Sequence, residues 1–231
     1  MKKFWKDVSV EERDGGWQVT LDGRAIRTQG GQQQVAPSRA LADLVAGEFA
    51  AQGEEIDTRS FVFRDMVDYA LDIVAKQREA TVTQLLEYAQ TDTLCYRADP
   101  DEPLYKRQQE LWEPLVSACE ATHGIRLERA SGIIHRPQPE DSIAALRQRL
   151  EAEDHFSLAG LQTITSLAAS LVVALAALED QADTTALFAA ANAEQDWQAE
   201  LWGWDFAAEE ARKAKLEAFE KAAQFLRAAR G

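Results

Sequence analysis

Histidine and cysteine are scarce in this chain, and no run of cations occurs anywhere in its 231 residues. The cysteines are Cys95 and Cys119, with no CxxC and no Cys/His cluster at zinc spacing. That excludes the common structural zinc modules and leaves two reduced, buried thiols as the simplest expectation. Lys+Arg total 25 against 39 Asp+Glu, a formal net charge of −14. A chain so charged repels phosphate backbones, and without clustered cations there is no counterion release to drive nucleic-acid binding. Also missing are the phosphate-cradling GxxxxGK[ST] and GxGxxG loops, the GxSxG elbow and the HExxH helix. The opening "MKKFWKDVSVEERDGG" has neither the apolar core of a secretion signal nor an Arg- and Ser-rich leader. The expectation is a bacterial cytoplasmic protein or a mature form. There is no internal repeat and no low-complexity tract.

What is present reads as an ordinary globular chain, 46% apolar and 28% charged. Residues 1–36 carry strand signals. Trp17, Val19 and Leu21 alternate with Gln18 and Thr20, as in a half-buried strand. Asp14-Gly15-Gly16 and Asp22-Gly23 flank it, and Asp-Gly supplies the positive φ of a tight hairpin. Val8 and Val10 predict the preceding strand; Ile26–Thr28 and Gln32–Val35 predict later ones. So small a sheet needs a helix to lean on, or must close on itself.

Ser38, after Pro37, is a natural N-cap, followed by Leu41, Leu44, Val45 and Phe49 on one helical face. Further helices are predicted over 61–78, 80–91, 103–122, 139–151, 155–179, 182–201 and 205–229. Pro114 should kink or restart the third of these. Residues 125–134 suit a short strand pair or an extended loop. The uncharged stretch 158–178 is long enough to cross a bilayer. However, it is diluted by Gln162, Thr163, Thr165, Ser166 and Ser170, and flanked by acids rather than cations. Leu161, Ile164, Ala168, Leu171, Leu175 and Leu178 form a bundle seam, so a buried central helix is expected and membrane insertion is not. The fold class is α+β, with a β-rich domain over 1–60 and a larger helical domain over 61–231.

Candidate chemistry is sparse. Glu120 and His123 show the Glu-x-x-His spacing of di-iron bundles, but without a second copy. Cys95 lies near Asp92 and Arg97, yet no histidine base is local. A small thiol- or histidine-dependent hydrolase built on Cys95 or His123 is the enzymatic alternative, and a permanent structural subunit is a third. No metal or cofactor is expected. The densest feature is "AEQDWQAELWGWD" at 193–205, with three tryptophans and four acids in thirteen positions. Rings supply large contact area with few rotors, and interleaved acids keep them soluble and steer cationic partners. That composition suits protein binding better than catalysis.

The same segment resembles the C-terminal signature of the ATP12-like family, the assembly chaperones of the F-type ATP synthase alpha subunit. "FWKDVSV" at 4–10 and "GWQVTLDGRAIRT" at 16–28 are similar to the family's opening strands. "LVAGEFAAQGEEID" at 44–57 resembles its first helix, though the family often carries Trp where Phe49 stands. "YAQTDTLCYRA" at 88–98 and "QQELWEPL" at 108–115 resemble its middle motifs, and "GIIHRPQ" at 132–138 is a fainter match. The resemblance implies a β-rich N-terminal domain, a helical C-terminal domain and no ATPase activity. It implies a holder of the new alpha subunit that shields the surface later met by a beta subunit and then leaves. An acid near the Trp-Gly motif matters in the family, here Glu194 or Glu200. The expected client-binding residues are Glu194, Trp197, Glu200, Trp202 and Trp204, with Asp92 and Arg97 structural.

Overall fold

The structure is a computed structural model describing residues 1–132 and 135–231. The fold is α+β, a small three-stranded sheet near the N-terminus followed in sequence by a larger helical region. It divides into two compact units: Met1–Arg78 with Asp154–Gly160 and Gln224–Gly231, and Glu79–Glu153 with Leu161–Ala223.

In the first unit, β1 (Val8–Arg13), β2 (Gly16–Leu21) and β3 (Arg24–Ala25) form an antiparallel sheet in that order. Val10 faces Val19, and the turns fall at the two Asp-Gly sites. Gly15 and Gly23 have φ of +89° and +75°, which an L side chain rarely adopts. Asp22 accepts backbone hydrogen bonds from Lys6 (3.0 Å) and Asp7 (2.9 Å), which hold its carboxyl below the usual range. Gly16 is required by close approach, since a Cβ there would lie 2.2 Å from the Ala36 carbonyl oxygen.

Two expectations for this sheet need correction. β2 is not half-buried by alternation, because Gln18 and Thr20 are buried along with Val19 and Leu21. Thr20 satisfies its hydroxyl on Ser9 across the hairpin, at 2.7 Å. The later strands shrink to β3 and single bridges, Arg27 with Gln33 and Trp17 with Ala36. The turn between them is tied elsewhere, with the Gly30 amide donating to Asp72 at 2.8 Å.

Ser38 caps α1 (Arg39–Ala50) by accepting from the Leu41 amide at 3.0 Å, and Leu41, Ala42, Val45 and Phe49 are buried. Glu48 then accepts from the Phe63 and Arg64 amides (2.7 and 2.9 Å) at the start of α2 (Val62–Tyr69). Burial pushes the Glu48 carboxyl up, while these amides pull it down. A wide π-turn, Ala70–Val74, continues α2. Trp5, Phe49 and Phe61 stack in series, with centroids 5.5 and 4.7 Å apart, so the phenylalanine at position 49 sits within a ring cluster.

The second unit is built largely from α3 (Arg78–Gln90), α4 (Pro103–His123), α5 (Glu140–Glu151), α6 (His155–Ala168), α7 (Leu171–Ala176), α8 (Thr184–Ala191), α9 (Ala193–Trp202) and α10 (Phe206–Arg230). Pro114 does not restart α4, which runs unbroken through it. Pro114 and Glu110 are both exposed, so water can satisfy the carbonyl that Pro114 leaves without a donor. The expected 182–201 helix breaks at Asn192, whose side-chain Nδ2 donates to the Phe188 carbonyl and whose side-chain Oδ1 accepts from Lys215, both at 2.8 Å.

The expected 155–179 helix also divides. Ala169 has φ +50°, and Ser170 restarts the chain as the N-cap of α7. The break has a partner far away in sequence. Thr93 donates to the Ala169 carbonyl through its amide (3.1 Å) and its hydroxyl (2.9 Å). The fully buried Asp92 carboxylate accepts from the Leu94 amide (3.1 Å) and the Val172 amide (3.0 Å). The seam residues Leu161, Ile164, Ala168, Leu171, Leu175 and Leu178 are all buried as expected. Among the described residues, no helix is long and apolar enough to cross a membrane. Of the 125–134 stretch, Ala130–Ser131 forms β5, parallel to β4 (Tyr96–Arg97). Ile133 and Ile134, in the "GIIHRPQ" match, lie outside the described residues.

Burial pushes Asp92 up from 3.8 to about 6, against the hydrogen bonds that lower it. A raised carboxylate contributes stability that is fully present below the unfolded value and is lost as pH rises through about 6. Asp92→Asn leaves a buried amide without its acceptor and should cost about 1–3 kcal/mol. Urea unfolding at pH 5 and pH 8 checks this. The gap between wild type and variant should narrow at the higher pH, because only the wild type carries the buried charge there.

Candidate functional site

The tryptophan-rich segment forms α9, the Gly203 turn and the start of α10. Gly203, at φ +83°, lets the chain leave α9 in a conformation closed to most side chains. Asp205 then caps α10 by accepting from the Ala208 amide at 3.0 Å. From beneath, fully buried Trp112 of α4 donates its indole N–H to the Ala190 carbonyl at 2.8 Å, next to the α8–α9 junction.

The rings are turned outward. Leu201, Trp202, Trp204 and Phe206 are 54%, 78%, 42% and 80% exposed. Trp197 is half-buried, with the Arg107 guanidinium 5.8 Å from its ring centre. A cleft of about 410 Å³ lies along α9 and α10, lined by Gln195, Trp202, Trp204, Asp205, Arg212 and Lys215 among others.

The acids do not stand free between the rings. Glu200 forms a two-pronged pair with Arg107, at 2.6 and 2.7 Å. Glu194 accepts from buried Gln108 at 2.8 Å. Asp196, which sequence reasoning passed over, holds Arg212 by two bonds of 2.6 and 2.5 Å. Arg212 in turn lies over the rings of Phe188 (5.1 Å) and Trp204 (5.7 Å). The carboxylates beside Arg107 and Arg212 raise the pKa of both, so both stay charged. Thus Glu200 and Glu194 tie α9 to α4, and Asp196 ties it to α10. Arg107 and Arg212 were not legible because their partners lie 93 and 16 residues away. Leu201 and Phe206 could have been found, since both flank the tryptophans in a segment too rich in rings to bury.

The other singled-out residues sit elsewhere. Arg97 is buried, donating to the Leu94 carbonyl (3.3 Å) and to Gln109, and ion-paired with Glu113 at 2.8 Å. Arg129 bridges Glu113 and Glu120, and these cation contacts lower both carboxyls. Cys95 and Cys119 are buried, and burial pushes each thiol up to about 12, so neither is a thiolate at neutral pH. His123 ends α4 before left-handed Gly124, and burial lowers its pKa. Among the described residues, no group of three or more His, Cys, Asp or Glu is placed to hold a metal ion.

The segment is thus a clasped helix with exposed rings, beside which Glu200 and Asp196 are paired with arginines and Glu194 with an amide. A profile of the ATP12 chaperone protein family matches residues 2–120. The chain belongs to this family of ATP synthase assembly chaperones. Its described fold superposes on the crystal structure of Atp12 from Paracoccus denitrificans with a TM-score of 0.93 at 32% identity, covering 99% of this chain and 98% of that one. The Atu1473 protein of Agrobacterium tumefaciens, described as a candidate chaperone, gives 0.92 at 36% identity, covering 100% and 86%. Protein atp12, mitochondrial, of Schizosaccharomyces pombe is 25% identical over 214 residues, spanning 87% of this chain and 74% of that protein. The profile stops before α9, whereas the structural matches extend over it.

Proposed function

We propose that this chain holds the unassembled alpha subunit of the F-type ATP synthase through the surface formed by Glu194, Trp197, Glu200, Trp202 and Trp204. It shields the face that later meets a beta subunit, and it leaves as that contact forms. The observation that carries this reading is the exposure of Trp202 and Phe206, at 78% and 80%, on the clasped α9–α10 element of an ATP12-family chain. An unassembled ring subunit exposes apolar interface that aggregates. Rings bind such a surface with an affinity set by a few anchors, so the true partner can displace the holder. The reading includes no bond chemistry and no cofactor, in keeping with two buried thiols of raised pKa. It places the protein in a bacterial cytoplasm.

The test is co-purification with free alpha and free beta subunits, taken separately. Retention of alpha alone supports the reading; retention of beta alone, or of neither, removes it. Glu194→Lys with Glu200→Lys should abolish suppression of alpha-subunit aggregation. Each new lysine faces Gln108 or Arg107, so α9 loses two ties while the circular dichroism spectrum stays that of the wild type. Undiminished suppression would show that these carboxylates do not shape the surface.

A further inference from the structure

A second apolar surface lies within the first unit, and arginines outnumber aspartates in its lining. A cleft of about 650 Å³ has Trp5, Phe49, Phe61 and Leu21 among its walls. Phe4 stands at its rim, 71% exposed and 4.9 Å from the Trp5 ring. Arg24, Arg27 and Arg64 line the same cleft. Arg64 lies over the Phe61 ring at 4.2 Å and pairs with Asp65. Arg27 donates to the Gly31 carbonyl at 2.8 Å. Among the described residues, neither Arg24 nor Arg27 has a carboxylate within ion-pair distance, and both are exposed.

The two acids in the lining are already occupied. Asp22 accepts from the Lys6 and Asp7 amides, and Asp68 from the Gln34 side chain and the Gln29 amide. The lining therefore carries three arginines against two aspartates, in a chain of net charge −14, and Arg24 and Arg27 keep N–H groups free for an incoming carboxylate. β3 also lies here. It is last in the sheet order, so among the described residues the outer edge of Arg24–Ala25 has no strand beside it.

We propose that this cleft binds an extended segment of the client polypeptide that carries a large apolar side chain flanked by carboxylates. The apolar side chain fills the ring-lined floor, the carboxylates meet Arg24 and Arg27, and the backbone lies along the free edge of β3. A cationic segment would be repelled by the same arginines. This rests on the reading of the chain as a holder of a polypeptide, but not on the α9–α10 surface.

The experiment uses two fluorescein-labelled ten-residue peptides with the same Leu-Val-Phe core, one flanked by aspartates and one by lysines, titrated into the full chain. Fluorescence anisotropy should show the acidic peptide binding at least about tenfold more tightly. Arg24→Glu with Arg27→Glu should reverse the preference. Arg24→Gln with Arg27→Gln should abolish it, which keeps the test sound if the reversal perturbs folding. Trp202→Ala with Trp204→Ala should leave acidic-peptide binding intact, so failure of the α9–α10 reading remains distinguishable from failure here. Equal binding of both peptides, a preference that survives charge reversal, or loss of binding in the tryptophan variant overturns the proposal. So does binding of dodecanoate with no binding of either peptide, which would make the cleft a fatty-acid site.

Discussion

If the chain holds the alpha subunit as proposed, replacing Trp202 and Trp204 together by alanine should lower affinity for free alpha subunit by about 100-fold or more, while the chain stays folded. Truncating a central interface tryptophan costs about 2 kcal/mol or more, and each 1.4 kcal/mol is tenfold in affinity. The fold loses little, because Trp202 is 78% exposed and Trp204 42% exposed, with the Arg212 guanidinium 5.7 Å from the Trp204 ring centre. The melting temperature should therefore move by less than about 3 °C. Calorimetric titration of alpha subunit, beside a thermal melt of each variant, checks both halves. Unchanged affinity would mean that the exposed rings are not what the client meets. A large drop in melting temperature would mean that they serve the fold instead.

Trp112→Ala is expected to do the reverse and strike stability first. Trp112 is fully buried in α4, and its indole N–H satisfies the Ala190 carbonyl at the end of α8. Deleting a buried tryptophan costs about 3–5 kcal/mol through lost burial and the cavity left behind. For a chain of this size that lowers the melting temperature by about 6–20 °C. Trp112→Phe keeps most of the volume but leaves the carbonyl without its donor, and should fall between variant and wild type. Urea unfolding of the three proteins gives the order. Client binding should weaken in Trp112→Ala although the outward rings are untouched, because the α8–α9 junction loses its anchor. Wild-type stability in Trp112→Ala would contradict this packing.

Local signals were legible in the sequence, and distant partners were not. The Asp-Gly turns placed the β1–β2 hairpin because Gly15 and Gly23 need positive φ whatever packs around them. Ser38 marked the start of α1 by the same local logic. The breaks at Ala169 and Asn192 were missed because they depend on Thr93, Asp92 and Lys215, which no spacing rule connects to them. Pro114 does not restart α4, because an exposed helix face tolerates the lost bond and the propensity rule is blind to solvent. At the candidate site, the crowding of three tryptophans beside Gly203 indicated outward rings, and Trp202 and Trp204 are exposed. The acids' geometry was not legible. Glu200 was read as rim charge for a cationic partner, whereas Arg107 already holds it. Charge alone says that an acid is present, and only the tertiary fold says whether a guanidinium has reached it first.

On the proposed function, the outward rings of α9 and α10 touch the alpha subunit directly. The most direct test is a photo-crosslinking side chain at position 202, irradiated with free alpha and free beta subunits in separate mixtures. A covalent adduct with alpha and none with beta is the predicted result. No adduct with alpha, or equal adducts with both, would contradict the account.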